Sequence, residues 1–482
     1  MRNTALIYVC VALAATLSPA RCAAQRADHA LASGRITADR MKTYADLAVQ
    51  WMQEYLRVDT TNPPGNELRA ATFLKKIFDQ EGVENRVFEY SPGRADLWAC
   101  IPHTGATPKR PIILLNHMDV VTSDASHWKV PPFSGQVVDG SMYGRGAQDM
   151  KDEGLAQLVV MVMLKREKVA LDRDVIFLAV SDEEVATTGT DWFIEHQRDL
   201  LGNAEFLINE GGEIVLEAGR VRSVGVDVGE KCAFWLHITA HGRAGHGSVP
   251  IVDSAPNRLV MALNRILAYQ TPFRVLPVVE EYLRQTAADE PPARAEKFRN
   301  IRAALEDRNF QQEVTNDETL NYLLRDTISV TMMGGSAQTN VIPPEAWANL
   351  DVRLLPGEDP QKLLAALRNV VNDPNVTIEP QSAEVRTANS SPTDTDLYRA
   401  IQEVSAHYFP GTPVLPELSG GYTESQRYRP LGIHSYGFTP YATTEEEEQT
   451  EHGDNERIRV EEIRRGFRVL YDVVTRVATP GN

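Results

Sequence analysis

The chain is 482 residues long, 43% hydrophobic and 24% charged, the makeup of a soluble globular protein with room for two or three domains. Its formal net charge of −17 sets it against phosphate surfaces, which excludes nucleic acid and anionic membrane as partners. The first 24 residues read as a secretory signal peptide: Arg2, an apolar core from Ala5 to Leu17, and a small-residue exit at Cys22-Ala23-Ala24. That core is shorter than the ~20 apolar residues a membrane span needs, and Arg21 disfavours a lipid anchor on Cys22. No later segment reads as a span, so the mature protein is expected to be exported, periplasmic or secreted. Cys10 and Cys22 leave with the signal. Cys100 and Cys232 form neither a disulfide framework nor a metal-ligand pair by spacing, and read as small apolar residues whose pairing stays open.

Helical periodicity begins in YADLAVQWMQEYLRV and stops at the breaker TNPPGNE. A second helix, ELRAATFLKKIFDQEG, is expected to end at its glycine. Short apolar runs then alternate with helical segments: PIILLNHMD, LAQLVVMVMLKREK, RDVIFLAVSDEE, TDWFIEHQRDL and EFLINEGG. That order predicts an α/β fold, a mostly parallel central sheet flanked by helices. Unbroken apolar runs fit strands covered on both faces. From residue 228 the style changes. KCAFWLHITAHG, DSAPNRLVMALNRILAY, DTISVTMMGG, EAWANLDVRLL, PQKLLAALRNVVND and NVTIEPQ give the order β-α-β-β-α-β, a ferredoxin-like α+β unit. A charged helical insertion, residues 274–325, interrupts it. The expected organisation is a catalytic domain in two pieces, 40–227 and 387–482, with the smaller domain, 228–386, inserted as a lid.

Three of the predicted strands run into acids. PIILLN leads to His117 and Asp119, VIFLAV to Glu183 and Glu184, and EFLI to Asn209 and Glu210. Parallel sheets place their sites at the carboxyl ends of strands, and a divalent ion offsets the repulsion within a carboxylate cluster. His117 and Asp119 are two apart on an extended chain and face the same way. Alone, each of these is an ordinary solvated strand end, and Asp149 in YGRGAQDMKDEG alone is a turn before a helix. That glycine pattern is not a dinucleotide fingerprint, and GHGSV is not a nucleophile elbow. Glu445–Glu448 read as a solvated acidic run, or as a means of concentrating cations near the site.

Jointly, HMDVV, GRGAQDMK, SDEE, NEGG and EHGDNERI, in this order, resemble the co-catalytic zinc exopeptidases and deacylases: glutamate carboxypeptidase, aminoacylase, acetylornithine deacetylase and carboxypeptidase S. The resemblance covers nearly the whole mature chain and implies two Zn2+ per chain, with Co2+ able to substitute. It implies that His117 and Glu210 hold one ion, Glu184 and His452 the other, and that Asp149 bridges them across a cis Asp149–Met150 peptide. Asp119 would orient His117, and Glu183 would be the general base. Asn209 departs from the Asp-Glu-Gly-Gly of the carboxypeptidase S branch, which throws the ligand role onto Glu210. From the lid, the resemblance implies His246, ahead of His241, for the oxyanion, Asn340 for substrate binding and Arg353 for the substrate's carboxylate, with Gly421 and Gly420 offering backbone contacts to the same end. The substrate would be a small peptide or an N-acyl amino acid. The large lid insertion looks most like the carboxypeptidase S and N-fatty-acyl amino acid hydrolase branch, which implies an apolar acyl or side-chain pocket; dimeric relatives pair through the lid, which implies a homodimer here unless the insertion blocks or replaces that contact. The competing reading is a non-catalytic metal-binding protein derived from such an enzyme.

Overall fold

A computed structural model describes residues 31–382 and 386–480; the expected signal peptide lies outside them. A ten-stranded sheet forms the body. At its centre Val175–Val180, Ile112–His117, Phe206–Asn209 and His434–Gly437 run parallel side by side. Antiparallel strands flank them, Glu84–Ser91 with Arg94–Ile101 on one side and Ile214–Glu217 with Arg220–Glu230 on the other. The unbroken apolar runs have a direct cause. Ile112, Leu114, Val175, Phe177 and Ala179 enter one core, under the helices Lys151–Arg166 and Val460–Ala478. The residues between them, Ile113, Leu115, Ile176, Leu178 and Val180, enter a second core that holds Phe193 and Tyr428. Successive side chains point to opposite faces of a strand, so a strand covered on both faces must be apolar at every position.

The predicted second helix spans Glu67–Glu81 and ends at Gly82, whose φ of 65° lets the chain leave in the left-handed region. KCAFWLHITAHG, expected as one strand, is broken into Cys232–Ala233 and Leu236–His241. Leu236–His241 is the second strand of a sheet ordered Val376–Pro380, Leu236–His241, Glu345–Leu354, Thr327–Gly334, antiparallel throughout. The helices Ala255–Ala268 and Pro360–Val371 pack with it around Leu236, Ile238, Leu263, Leu350 and Leu367. The chain order through this unit is β-α-β-β-α-β.

The insertion is helical, from Pro277–Thr286 through Glu318–Leu324. Its own core of Val279, Leu283, Phe298, Phe310 and Leu323 also takes in Leu418 from the body strand Val414–Ser419. The insertion therefore leans on the body as well as on the lid sheet. Cys100 and Cys232 are both free thiols. Among the described residues no helix is long and apolar enough to cross a membrane.

Candidate metal centre

The registers of the parallel strands bring the acids to one rim. His117 is level with Val180, and Gly437 with Asn209. The chain turns sharply just past Val180, at Asp182 with φ 70°, and presents Glu183 and Glu184. His117 Nδ1 lies 3.0 Å from the Asp119 carbonyl oxygen. A carbonyl can only accept, so Nδ1 carries the proton and Nε2 is left for a ligand. Nε2 faces Asp149 Oδ1 at 2.8 Å and Glu210 Oε2 at 3.3 Å. His452, which the C-terminal piece delivers at a residue with φ 55°, faces Asp149 Oδ2 at 2.7 Å and Glu184 Oε2 at 3.3 Å. Asp149 thus offers one oxygen to each imidazole, and the Asp149–Met150 peptide is cis.

Such a packing of acceptors requires positive charge within it. Burial pushes the Glu183 and Glu210 carboxyls well above their usual range, and the charge of Glu210 pushes Glu183 further. Against the effect of burial, Glu210 and Asp149 hold His117 well above its usual value. Hydrogen bonds to Asp149 and Glu184 raise His452 to about 10. Glu184 Oε1 is buried with no hydrogen-bond partner. Ligand atoms of His117, Asp149 and Glu184 lie within 4.8 Å of one another, and so do those of His117, Glu183 and Glu210. Two imidazole nitrogens and three carboxylates are a donor set that suits a pair of divalent ions.

Asp119 does more than orient His117. Its Oδ1 accepts the Glu183 amide at 3.1 Å; its Oδ2 accepts the Glu184 amide at 3.2 Å and Asn62 Nδ2 at 2.8 Å. Asn62 also bonds Asp182 Oδ1 at 2.8 Å, so a residue read only as part of a breaker braces the whole turn. Its sole sequence signal was its place before two prolines. Glu456 is the other residue without an assigned role. Its carboxylate receives Arg145 Nη1 at 2.5 Å and the amides of Gly146 and Gln148 at 3.1 and 2.7 Å. Asn209 stands behind the cluster, donating to Glu424 Oε2 at 3.1 Å, which leaves Glu210 to face His117.

The lid residues stand elsewhere. His246 is exposed, its Nδ1 accepting the Ser248 amide at 3.1 Å, and Asn340 accepts the Gly247 amide beside it at 2.7 Å. Arg353 is paired with Asp351 at 2.8 Å, and His241, at the end of the strand Leu236–His241, has its half-exposed ring 3.6 Å from Glu345. None of these lines the cavity above the metal-ligand cluster; Gly420 and Gly421 do, although the Gly421 amide is donated to Ser419 Oγ at 3.0 Å. Toward the apolar pocket expected of it the insertion gives Val279, Leu323, Tyr282 and Tyr322, while the body lines the same cavity with Glu213, Asp227 and Glu417. Glu445–Glu448 form a helical turn capped by Thr444, in which Glu447 is buried against Arg459, so that residue is structural.

The profile of Peptidase family M20/M25/M40 matches residues 113–476. The chain belongs to that family. It is therefore a metal-dependent hydrolase of amide or peptide bonds. N-fatty-acyl-amino acid synthase/hydrolase PM20D1 from Homo sapiens is 27% identical over 388 residues, 78% of this chain and 76% of that protein. Aminoacylase-1A from Rattus norvegicus is 26% identical over 437 residues, covering 90% and 95%. In fold, the chain is similar to the M20 family metallo-carboxypeptidase Sso-CP2 from Sulfolobus solfataricus, with a TM-score of 0.64 at 19% identity over 89% of this chain and 98% of that one. It is likewise similar to human carnosine dipeptidase 1, with a TM-score of 0.63 at 16% identity, covering 91% and 97%.

Proposed function

We propose that this protein is an exported, two-zinc hydrolase that cleaves an amide or peptide bond next to a free carboxylate, as a carboxypeptidase, dipeptidase or N-acyl-amino-acid hydrolase. The observation that carries this reading is Asp149, whose two oxygens each face an imidazole, one from each end of the chain. His117 and Glu210 would hold one ion and His452 and Glu184 the other, with Asp149 shared. Two such ions supply an activated water and polarise the scissile carbonyl. Glu183, held in place by Asp119 through its amide, takes the proton of the attacking water and passes it to the leaving amine. Its position among the ligand atoms speaks against a non-catalytic metal-binding protein.

The body, 40–227 with 387–482, carries the chemistry, and the lid, 228–386, carries the recognition. His246 stabilises the oxyanion and Asn340, Arg353 and the Gly421 backbone take the carboxylate, after the lid closes on substrate. Pairing of two copies through the lid is supported by Val260, Met261 and Leu267 on its outer helix and Met332 and Met333 on its edge strand, all exposed. The signal-like first 24 residues support export.

A guanidinium fork matches a carboxylate in two hydrogen bonds, so Arg353 tests the substrate class. In Arg353→Ala, kcat/KM for N-acyl amino acids should fall by about tenfold or more. The same substrates amidated at the carboxylate should be poor for the wild type and nearly indifferent to the change. Equal loss on acid and amide would show that Arg353 supports the fold and not the carboxylate.

A further inference from the structure

The cavity above the metal centre, about 610 Å3 in volume, is lined by five carboxyl groups beyond the ligand candidates and Glu183. These are Glu153, Glu213, Asp227, Glu417 and Glu451, and no lysine or arginine shares the wall with them. Glu153 is 3% exposed; one of its oxygens takes the Thr439 hydroxyl, and among the described residues no hydrogen bond reaches the other, on a residue that lines the cavity. Asp227 accepts only the Gly212 amide, at 3.2 Å. Arg429, whose charge reaches Asp227, is itself paired with Glu230 at 2.9 Å. Glu417 accepts the Glu213 amide, and the Glu213 carboxyl rests against that of Glu448.

These acids are fixed in place. A Cβ on Gly225 would overlap Glu417 Oε2, and one on Gly211 would lie 2.5 Å from Asp227 Oδ2, so the backbone approaches both carboxylates as only glycine allows. Burial pushes the Glu153 carboxyl up to about 8 and that of Asp227 up to about 7; a cation entering the cavity would draw both to their charged form. Tyr282 and Tyr322 line the same cavity, and an aromatic ring is a surface that attracts a cation. A hydrocarbon chain in the same space would desolvate five carboxyl groups and pair with none.

We infer that this wall recognises a positively charged group, an ammonium or guanidinium, on the acyl side of the scissile bond. The side follows from the layout. Arg353 belongs to the smaller sheet, whereas all five acids come from the body: Glu153 from the helix Lys151–Arg166, Asp227 from Arg220–Glu230, Glu417 from Val414–Ser419, and Glu213 and Glu451 from outside the strands. The substrate's own carboxylate would be repelled there, which leaves the acyl half. This rests on the hydrolase reading given above and names the substrate class within it.

The test uses zinc-loaded enzyme and three substrates with alanine as the common leaving group, bearing acetyl, heptanoyl or 6-aminohexanoyl. The last two are equal in length and differ in a terminal methyl against an ammonium. On the wild type, the aminohexanoyl substrate should have a kcat/KM about tenfold or more above that of the heptanoyl one. In Glu417→Gln and Asp227→Asn that ratio, measured within each variant, should fall toward one. Independently of how the variants fold, butyltrimethylammonium, which cannot ligate a metal, should inhibit the wild type on the acetyl substrate more strongly than 1-pentanol does. Acetyl hydrolysis with the heptanoyl substrate equal or preferred, an unchanged ratio in both variants, or stronger inhibition by the alcohol would each overturn the inference alone. No hydrolysis of any of the three would overturn the hydrolase reading and this inference with it.

Discussion

Among the described residues Asp119 makes no hydrogen bond to Asp149, yet four parts of the site depend on it: His117, both amides of the Glu183-Glu184 turn, and Asn62. A carboxylate that accepts three hydrogen bonds while wholly buried is a fixed post. The strand-end acids were legible in the sequence because each follows an apolar run and charge at a buried strand's end needs a reason. Asn62 was not legible, since its partners Asp119 and Asp182 lie about 60 and 120 residues away. Asn62→Ala should therefore lower the affinity for metal by about 10–100-fold, the usual cost of losing a partner behind a ligand, with little change in the unfolding transition. Isothermal titration of the metal-free variant reads this; wild-type affinity would show that Asn62 serves only its loop. Glu183→Gln separates the base from the ligands. The amide cannot relay a proton, so turnover should drop about 10²–10⁴-fold while both ions remain bound. Loss of an ion along with turnover would make Glu183 a ligand.

At the scale of elements, alternation between two cores explains why the strands Ile112–His117, Val175–Val180 and Phe206–Asn209 carry no polar position until they end. The same alternation made the parallel sheet readable, and the change to patterned strands at residue 228 made the second sheet readable. Where the insertion docks was not readable. Its helices announce an apolar face, but periodicity says nothing of what that face meets, and Leu418 of the body turns out to complete its core. Nor did the lining of the cavity show in the pattern, because Glu213, Asp227 and Glu417 come from three separate strand regions. The lid's edge strand Thr327–Gly334 keeps one side unpaired among the described residues, with Met332 54% and Met333 67% exposed. An open apolar edge invites a second strand. Met332→Asp should convert a dimer to a monomer by sedimentation at unchanged chain fold; a wild type that is already monomeric at high concentration would remove the lid as a pairing surface.

For the whole molecule, the decisive contact is between chain pieces some 300 residues apart. Arg145, 2% exposed, gives Nη1 to Glu456 at 2.5 Å and Nη2 to the carbonyls of His452 and Gly453 at 3.2 and 2.9 Å. Glu456 in turn holds the amides of Gly146 and Gln148 just before Asp149. Breaking a buried pair leaves an uncompensated charge, so the loops that carry Asp149 and His452 are held to one another from behind the ligands. This is how a site split between residues 117–210 and residue 452 closes into one cluster. The central claim is that the cluster takes two ions, one on each side of Asp149. The most direct measurement is titration of metal-free protein with zinc, followed by calorimetry and by activity on an N-acetyl amino acid at each addition. The account predicts two equivalents per chain, with His452→Ala reduced to one and with activity that appears as the second site fills. Full activity at a single equivalent, or a His452→Ala variant that still binds two, would contradict it.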